Sequence, residues 1–107
     1  MTRVEFFSQD DRICGFSVSG HSGYAEEGSD IVCAAVSATV TFAEATIHDV
    51  LGEQTSTEVN QDEARITLKL PAVCENEDAV QAILAGMMVS LIHWRDEYPD
   101  YIEVMEV

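Results

Sequence analysis

Positive charge is scarce in this sequence. Five Lys and Arg stand against 20 Asp and Glu in 107 residues, a formal net charge of −15. A surface so short of cations offers no footprint for phosphate backbones, so direct nucleic-acid binding is not expected. The same field favours encounter with cations and basic proteins, and it also keeps a small domain soluble. Cysteine is scarce as well. Cys14, Cys33 and Cys74 are odd in number, far apart and without a C-x-x-C pair, which argues against a disulfide framework and a thioredoxin-like redox pair. His21, His48 and His93 show no metal-ligand spacing with those cysteines. No run of about 18 or more apolar residues occurs, so no membrane-spanning helix is expected. The N-terminus, "MTRVEFFSQDDR", lacks the basic patch, apolar stretch and small-residue cleavage site of a signal peptide, and the cytoplasm is the expected compartment.

What is present suits a packed domain. Apolar residues make up 47% of the chain, and no linker or low-complexity segment divides it, so residues 1–107 are expected to form a single domain. "RVEFF" alternates polar and apolar, "SQDDR" reads as a turn, and Cys14, Phe16 and Val18 alternate with Gly15 and Ser17. That pattern predicts a β-hairpin, with Cys14 pointing into the core beside Phe16 and Val18. "DIVCAAVSATVTFAEATIHDVLG" predicts a helix with Ser29 or Asp30 as N-cap and Gly52 as its stop. It is apolar round most of its circumference, which implies burial on more than one side and leaves room for a partner surface. A strand over 55–60 and the clean alternation of Ala64, Ile66, Leu68 and Leu70 follow. A second helix from Asn76 carries Val80, Ile83, Leu84, Met87, Met88, Leu91 and Ile92 at helical spacing. "YIEVMEV" closes the chain as a strand. The order is ββαββαβ: an α+β, two-layer domain with two helices on a mixed, largely antiparallel sheet.

"GHSGYAEEGSDIVCAAVS", residues 20–37, departs from that scaffold. A cysteine among Ile, Val and Ala on a helix is ordinarily a small core residue. Two features argue otherwise for Cys33. With Ser29 or Asp30 as N-cap it falls within the first turn, where the helix dipole favours a thiolate. Asp30, Cys33 and Ser37 also share one helix face. Asp30 has the alternative role of plain N-cap, and Ser37 that of a small packing residue. His21 follows Gly20 at the end of the second strand, and the short connection to the helix brings it back toward Cys33, within reach of a nucleophile–base pair. It reads equally as an ordinary loop histidine. Gly23 and Gly28 bracket "YAEE", a segment able to close over a cleft.

The 18-residue stretch closely resembles the signature of the ribosomal-processing cysteine protease family, Prp. There a glycine–histidine pair precedes a tyrosine, an acidic loop and a D-I-V-C-A-A-V-S helix start. The resemblance extends over essentially the whole chain, including Gly86 inside the second helix and "EYPDYIEV". One difference is Ser22, where the family commonly has alanine. The resemblance implies a small cytoplasmic, homodimeric enzyme that removes the N-terminal extension of ribosomal protein bL27, with no metal or cofactor and no membrane. It implies Cys33 as nucleophile and His21 as base, with Gly20, Asp30 and Ser37 at the other motif positions. The oxyanion is expected at the backbone N–H groups of Val32 and Cys33. The rival reading is a non-catalytic acidic dimer that binds a ribosomal protein or assembly factor.

Overall fold

The structure, a computed structural model, describes residues 1–20 and 27–107, with backbone alone over residues 27–30. Strand β1 (Thr2–Gln9) turns into β2 (Arg12–Ser19) through Asp10 and Asp11, both at positive φ (52° and 63°). Two left-handed residues give the turn the twist of the strands it joins, and Asp tolerates that conformation better than most side chains. Helix α1 (Glu27–Glu44) continues into a π-helical turn, Ala45–Val50. Gly52 at φ +70° then ends the helical path, as its sequence position predicts. Strands β3 (Ser56–Asn60) and β4 (Arg65–Lys69), helix α2 (Glu77–Glu97) and strand β5 (Ile102–Glu106) complete the chain.

The sheet runs β3-β4-β2-β1-β5. Only β1 and β5 pair in parallel; the other neighbours are antiparallel. The expected ββαββαβ order and mixed, largely antiparallel α+β sheet are therefore what the chain forms. Both helices lie on one face. Val4, Phe6, Phe16, Leu68 and Ile102 from the sheet meet a row from each helix. On α1 and its π-helical extension the buried row is Val32, Val36, Val40, Ala43 and Ile47; on α2 it is Val80, Leu84, Met87 and Leu91. Spacings of three and four residues keep each row on one stripe. Each large side chain so buried contributes about 1.5–3 kcal/mol.

Three sequence expectations change. Helix α1 begins at Glu27 rather than at residue 30 or 31, so Ser29 and Asp30 lie inside it and Cys33 lies in its second turn. Acids are favoured in a first turn by the helix dipole, and Glu27 and Asp30 both fall there. Cys14 is half-buried, its thiol lying 3.5 Å from the Arg12 carbonyl oxygen, and the buried thiol is Cys74. A bulge at Phe7/Ser8 shifts the β1–β2 register just where Cys14 sits. Thirdly, Ile31–Val50 is by length and composition apolar enough to cross a membrane, because scattered Ser, Thr and His lower its hydropathy little. One stripe of it, the row Val32, Val36, Val40, Ala43 and Ile47, is buried on the sheet, while Ile31, Phe42 and Val50 are exposed.

A compact polar network fastens α2. Glu53, only 5% exposed, accepts the N–H groups of Glu75 and Asn76 at 3.2 and 3.0 Å, and Asn76 Nδ2 donates to the Leu51 carbonyl at 3.1 Å. Arg12 Nε donates to Glu77 Oε1 at 2.6 Å and its other end to the Pro71 carbonyl at 2.9 Å. The Arg12 guanidinium holds the Glu77 carboxyl below the usual carboxylate range. Burial, and then the charges of Glu53 and Glu77, push the Cys74 thiol up to about 11. An unfolded thiol ionises near ~8.5. The stability this shift contributes is thus complete below ~8.5 and is lost as the pH rises toward the folded-state value. The melting temperature of the native chain should fall more steeply across that alkaline window than that of Cys74→Ala.

Candidate active site

The first residue of β1 marks the site. Thr2 heads the inward-facing row Thr2, Val4, Phe6 and is itself 4% exposed. Its N–H donates to the Tyr101 carbonyl at 2.9 Å, which fixes the strand end against β5. Its hydroxyl lies 3.9 Å from the Cys33 Sγ. Helix α1 therefore brings Cys33, half-buried, over the end of β1.

Gly20 arrives at the same sheet end from β2. Arg3 pairs with Ser19, so Gly20 is level with the start of β1. Its N–H donates to the Ala64 carbonyl at 3.2 Å. At φ +76° a side chain would be strained, and a Cβ there would run into the Met1 carbonyl oxygen. Both the conformation and the close approach require glycine. The chain leaves this point directly into His21.

Asp30, Cys33 and Ser37 all fall within one unbroken helix, α1, with Ser37 one turn after Cys33. Ser37 is exposed. His21 lies outside the described residues, as does the side chain of Asp30. Cys33 and Gly20 are thus placed at one end of the sheet, and Ser37 one turn further along the cysteine's helix. His48 and His93 are exposed and lie on other segments, with His48 Nδ1 2.9 Å from Asp49 Oδ1. Among the described residues no group of three or more His, Cys, Asp or Glu is placed to hold a metal ion.

The oxyanion expectation needs correcting. In a helix begun at Glu27 the N–H groups of Val32 and Cys33 lie beyond the first turn and bond to carbonyls four residues back. They are not free donors. Sequence reading also passed over Thr2. Its signal is the alternation at the start of β1, which puts a polar residue at the head of a buried row. A hydroxyl 3.9 Å from sulfur is too far to be a strong hydrogen bond. Thr2→Val should therefore change kcat/KM for a peptide substrate by less than about fivefold, on the order of 1 kcal/mol.

Comparison with known proteins decides the family. The model of the family described as cysteine protease Prp matches residues 1–103. The chain belongs to the Prp family of cysteine proteases. The ribosomal processing cysteine protease Prp of Bacillus subtilis is 30% identical over 99 residues, 91% of this chain and 88% of its own. The crystal structure of Prp from S. aureus in complex with a substrate peptide matches over 100% of both chains, with a TM-score of 0.86 and 25% identity. The S. aureus enzyme in complex with a covalently linked product peptide matches over 100% of both chains, with a TM-score of 0.84 and 25% identity. Peptide-bond hydrolysis by a cysteine thiol is thus the chemistry of this Prp chain, and the binding-only reading falls away.

Proposed function

We propose that this chain, acting as a single domain of residues 1–107, removes the short N-terminal extension of ribosomal protein bL27, with Cys33 as nucleophile and His21 as base. The observation that carries the reading is the position of Cys33. A half-buried thiol stands over the end of β1, at the sheet end from which Gly20 leads into the sequence's candidate base. The S. aureus relative bound to a covalently linked product peptide supports an acyl-enzyme route. A charge of −15 suits a substrate drawn from a basic ribosomal protein.

In this mechanism His21 takes the proton from the Cys33 thiol, and the sulfur attacks the scissile carbonyl carbon. The tetrahedral intermediate collapses with loss of the C–N bond, and His21 returns the proton to the leaving amine. A water, deprotonated by His21, then cleaves the thioester and restores the thiol. Gly20 keeps the backbone clear before His21. Asp30 and Ser37 share the Cys33 face and serve as supporting or substrate-contacting groups. The enzyme works in the cytoplasm as a homodimer, without a metal or cofactor.

The test is incubation of the chain with a peptide spanning the extension junction of bL27 from the same organism, read by mass spectrometry. A single cut that His21→Ala no longer makes supports the assignment. A peptide and a full-length bL27 that both survive overturn the substrate; an undiminished cut by His21→Ala overturns the base.

A further inference from the structure

Among the described residues the sheet has two free edges, β3 and β5 in the order β3-β4-β2-β1-β5. They differ in where they lie. Cys33 stands over the end of β1, next to β5 and three strands from β3. At about 4.8 Å per strand, the β3 edge is roughly 14 Å from β1 and the β5 edge roughly 5 Å. β5 also starts at the end of the sheet where the thiol is. Ile102 pairs with Thr2, whose hydroxyl lies 3.9 Å from the Cys33 Sγ.

The ladder to β1 leaves alternate backbone groups of β5 for a partner. The Thr2 N–H donates to the Tyr101 carbonyl at 2.9 Å and the Val107 N–H to the Phe6 carbonyl at 2.8 Å. The Ser8 N–H donates to the Val107 carbonyl at 2.9 Å. In a parallel pair every second residue bonds to a given neighbour, so residues 101, 103, 105 and 107 face β1. The N–H and C=O groups of Ile102, Val104 and Glu106 point away from it, where no strand among the described residues meets them. Along this edge runs a groove of about 560 Å³, bordered by Met1, Arg95, Asp96, Pro99 and residues 102–105. β5 contains neither lysine nor proline, the residues that commonly blunt a free edge.

Charge selects the occupant. Residues 96–106 carry Asp96, Glu97, Asp100, Glu103 and Glu106 and no Lys or Arg. Two cations reach this run, Arg3 on Glu103 and Arg95 on Asp96, both at 3.1 Å. The β5 edges of two copies therefore repel each other, while an extended basic segment is attracted. The mature part of a ribosomal protein supplies such a segment, because it has to lie against RNA phosphates.

We propose that the free edge of β5 takes the basic, mature side of the protein substrate as an added strand. The substrate's alternate amides pair with Ile102, Val104 and Glu106, and the chain then crosses the end of β1 to reach Cys33. The proposal rests on the bL27 reading above and adds where and how that substrate is held. An added strand lies about 10 Å from β1, so about three extended residues separate it from the scissile bond.

The test is a set of bL27 junction peptides, each with one N-methyl amide, scanned along the mature side. The methyl removes one donor and blocks close approach at that residue. From about the third residue after the cut, KM should rise about tenfold at every second position and stay near the native value between them. kcat should be unchanged throughout. The double variant Asp100→Asn/Glu106→Gln, with native far-ultraviolet circular dichroism, should raise KM about threefold or more at low salt. It should also weaken the dependence of KM on NaCl. Glu58→Gln, on the β3 edge, should do neither. A peptide that is cut with a KM indifferent to the methyl's position overturns the added strand and leaves the substrate standing. Equal effects from Glu58→Gln overturn the choice of edge. A peptide that is not cut, and that does not bind Cys33→Ala, overturns the substrate reading and the proposal together.

Discussion

Cys33→Ala is expected to abolish hydrolysis of the bL27 junction peptide, lowering kcat by at least about a thousandfold. Among the described residues neither of the other thiols, Cys14 beside Arg12 and Cys74 beside Glu53, is placed to replace the lost sulfur. Without a nucleophile no acyl-enzyme forms, and a general base alone gives only a small part of the native rate. Stability should barely change. Cys33 is half-buried, and its contact among the described residues is a long one, to the Thr2 hydroxyl at 3.9 Å. Removing one sulfur atom there should move the midpoint of thermal unfolding by no more than about 4 °C. The combination is what separates a catalytic residue from a core residue. Lost activity with an unchanged melting curve supports the nucleophile. Retained hydrolysis would assign the chemistry to another thiol, and Cys74 is a poor substitute because burial holds it protonated up to about 11.

Glu53→Ala should destabilise the fold by about 3 kcal/mol, far more than Cys33→Ala. That corresponds to about 10 °C or more in melting temperature for a chain of this size. Glu53 is buried, yet it lies before β3 rather than next to α2. Its carboxylate reaches across to accept the N–H groups of Glu75 and Asn76 at the helix start. Asn76 occupies the N-cap position but makes no capping bond with its own side chain, so the helix start depends on this remote acceptor. Alanine would leave two donors without a partner and a void where the carboxylate was. Glu53→Gln keeps one acceptor oxygen and should cost about half as much. It also removes one of the two charges that raise the Cys74 thiol, so the Cys74 pKa should fall in Glu53→Gln. Thiolate absorbance during an alkaline titration reads that shift, which a purely steric role for Glu53 would not produce.

Much of the fold was legible because it rests on local periodicity. The alternation from Val4 to Phe6, the run from Ile66 to Leu70 and the row from Val80 to Leu91 each identify a buried face without knowledge of its partner. The turn at Asp10 and Asp11 and the stop at Gly52 are backbone requirements that a single residue type betrays. Element ends were less legible. Helix α1 starts at Glu27, two residues before the polar pair Ser29 and Asp30 that reads as its cap, because a first turn tolerates Gly28 and Ser29 where the N–H groups have no intrahelical partner. The π-helical turn over Ala45–Val50 left no sequence signal that we can identify.

The candidate site divides along the same line. Residue types and their local order were enough to name the chemistry: a cysteine on an apolar helix, a histidine after a glycine, and a family signature around both. The net charge was equally plain, being a sum over residues that needs no fold. Packing was required to bring Cys33 over Thr2 at the end of β1, to set Gly20 against Met1 at the same edge, and to make Glu53 cap a helix it does not adjoin. These contacts join residues that are 31, 19 and 23 positions apart. Helical and strand periodicities report a residue's own face and its neighbours within a turn or two. They carry no information about which distant segment the packed core brings against that face.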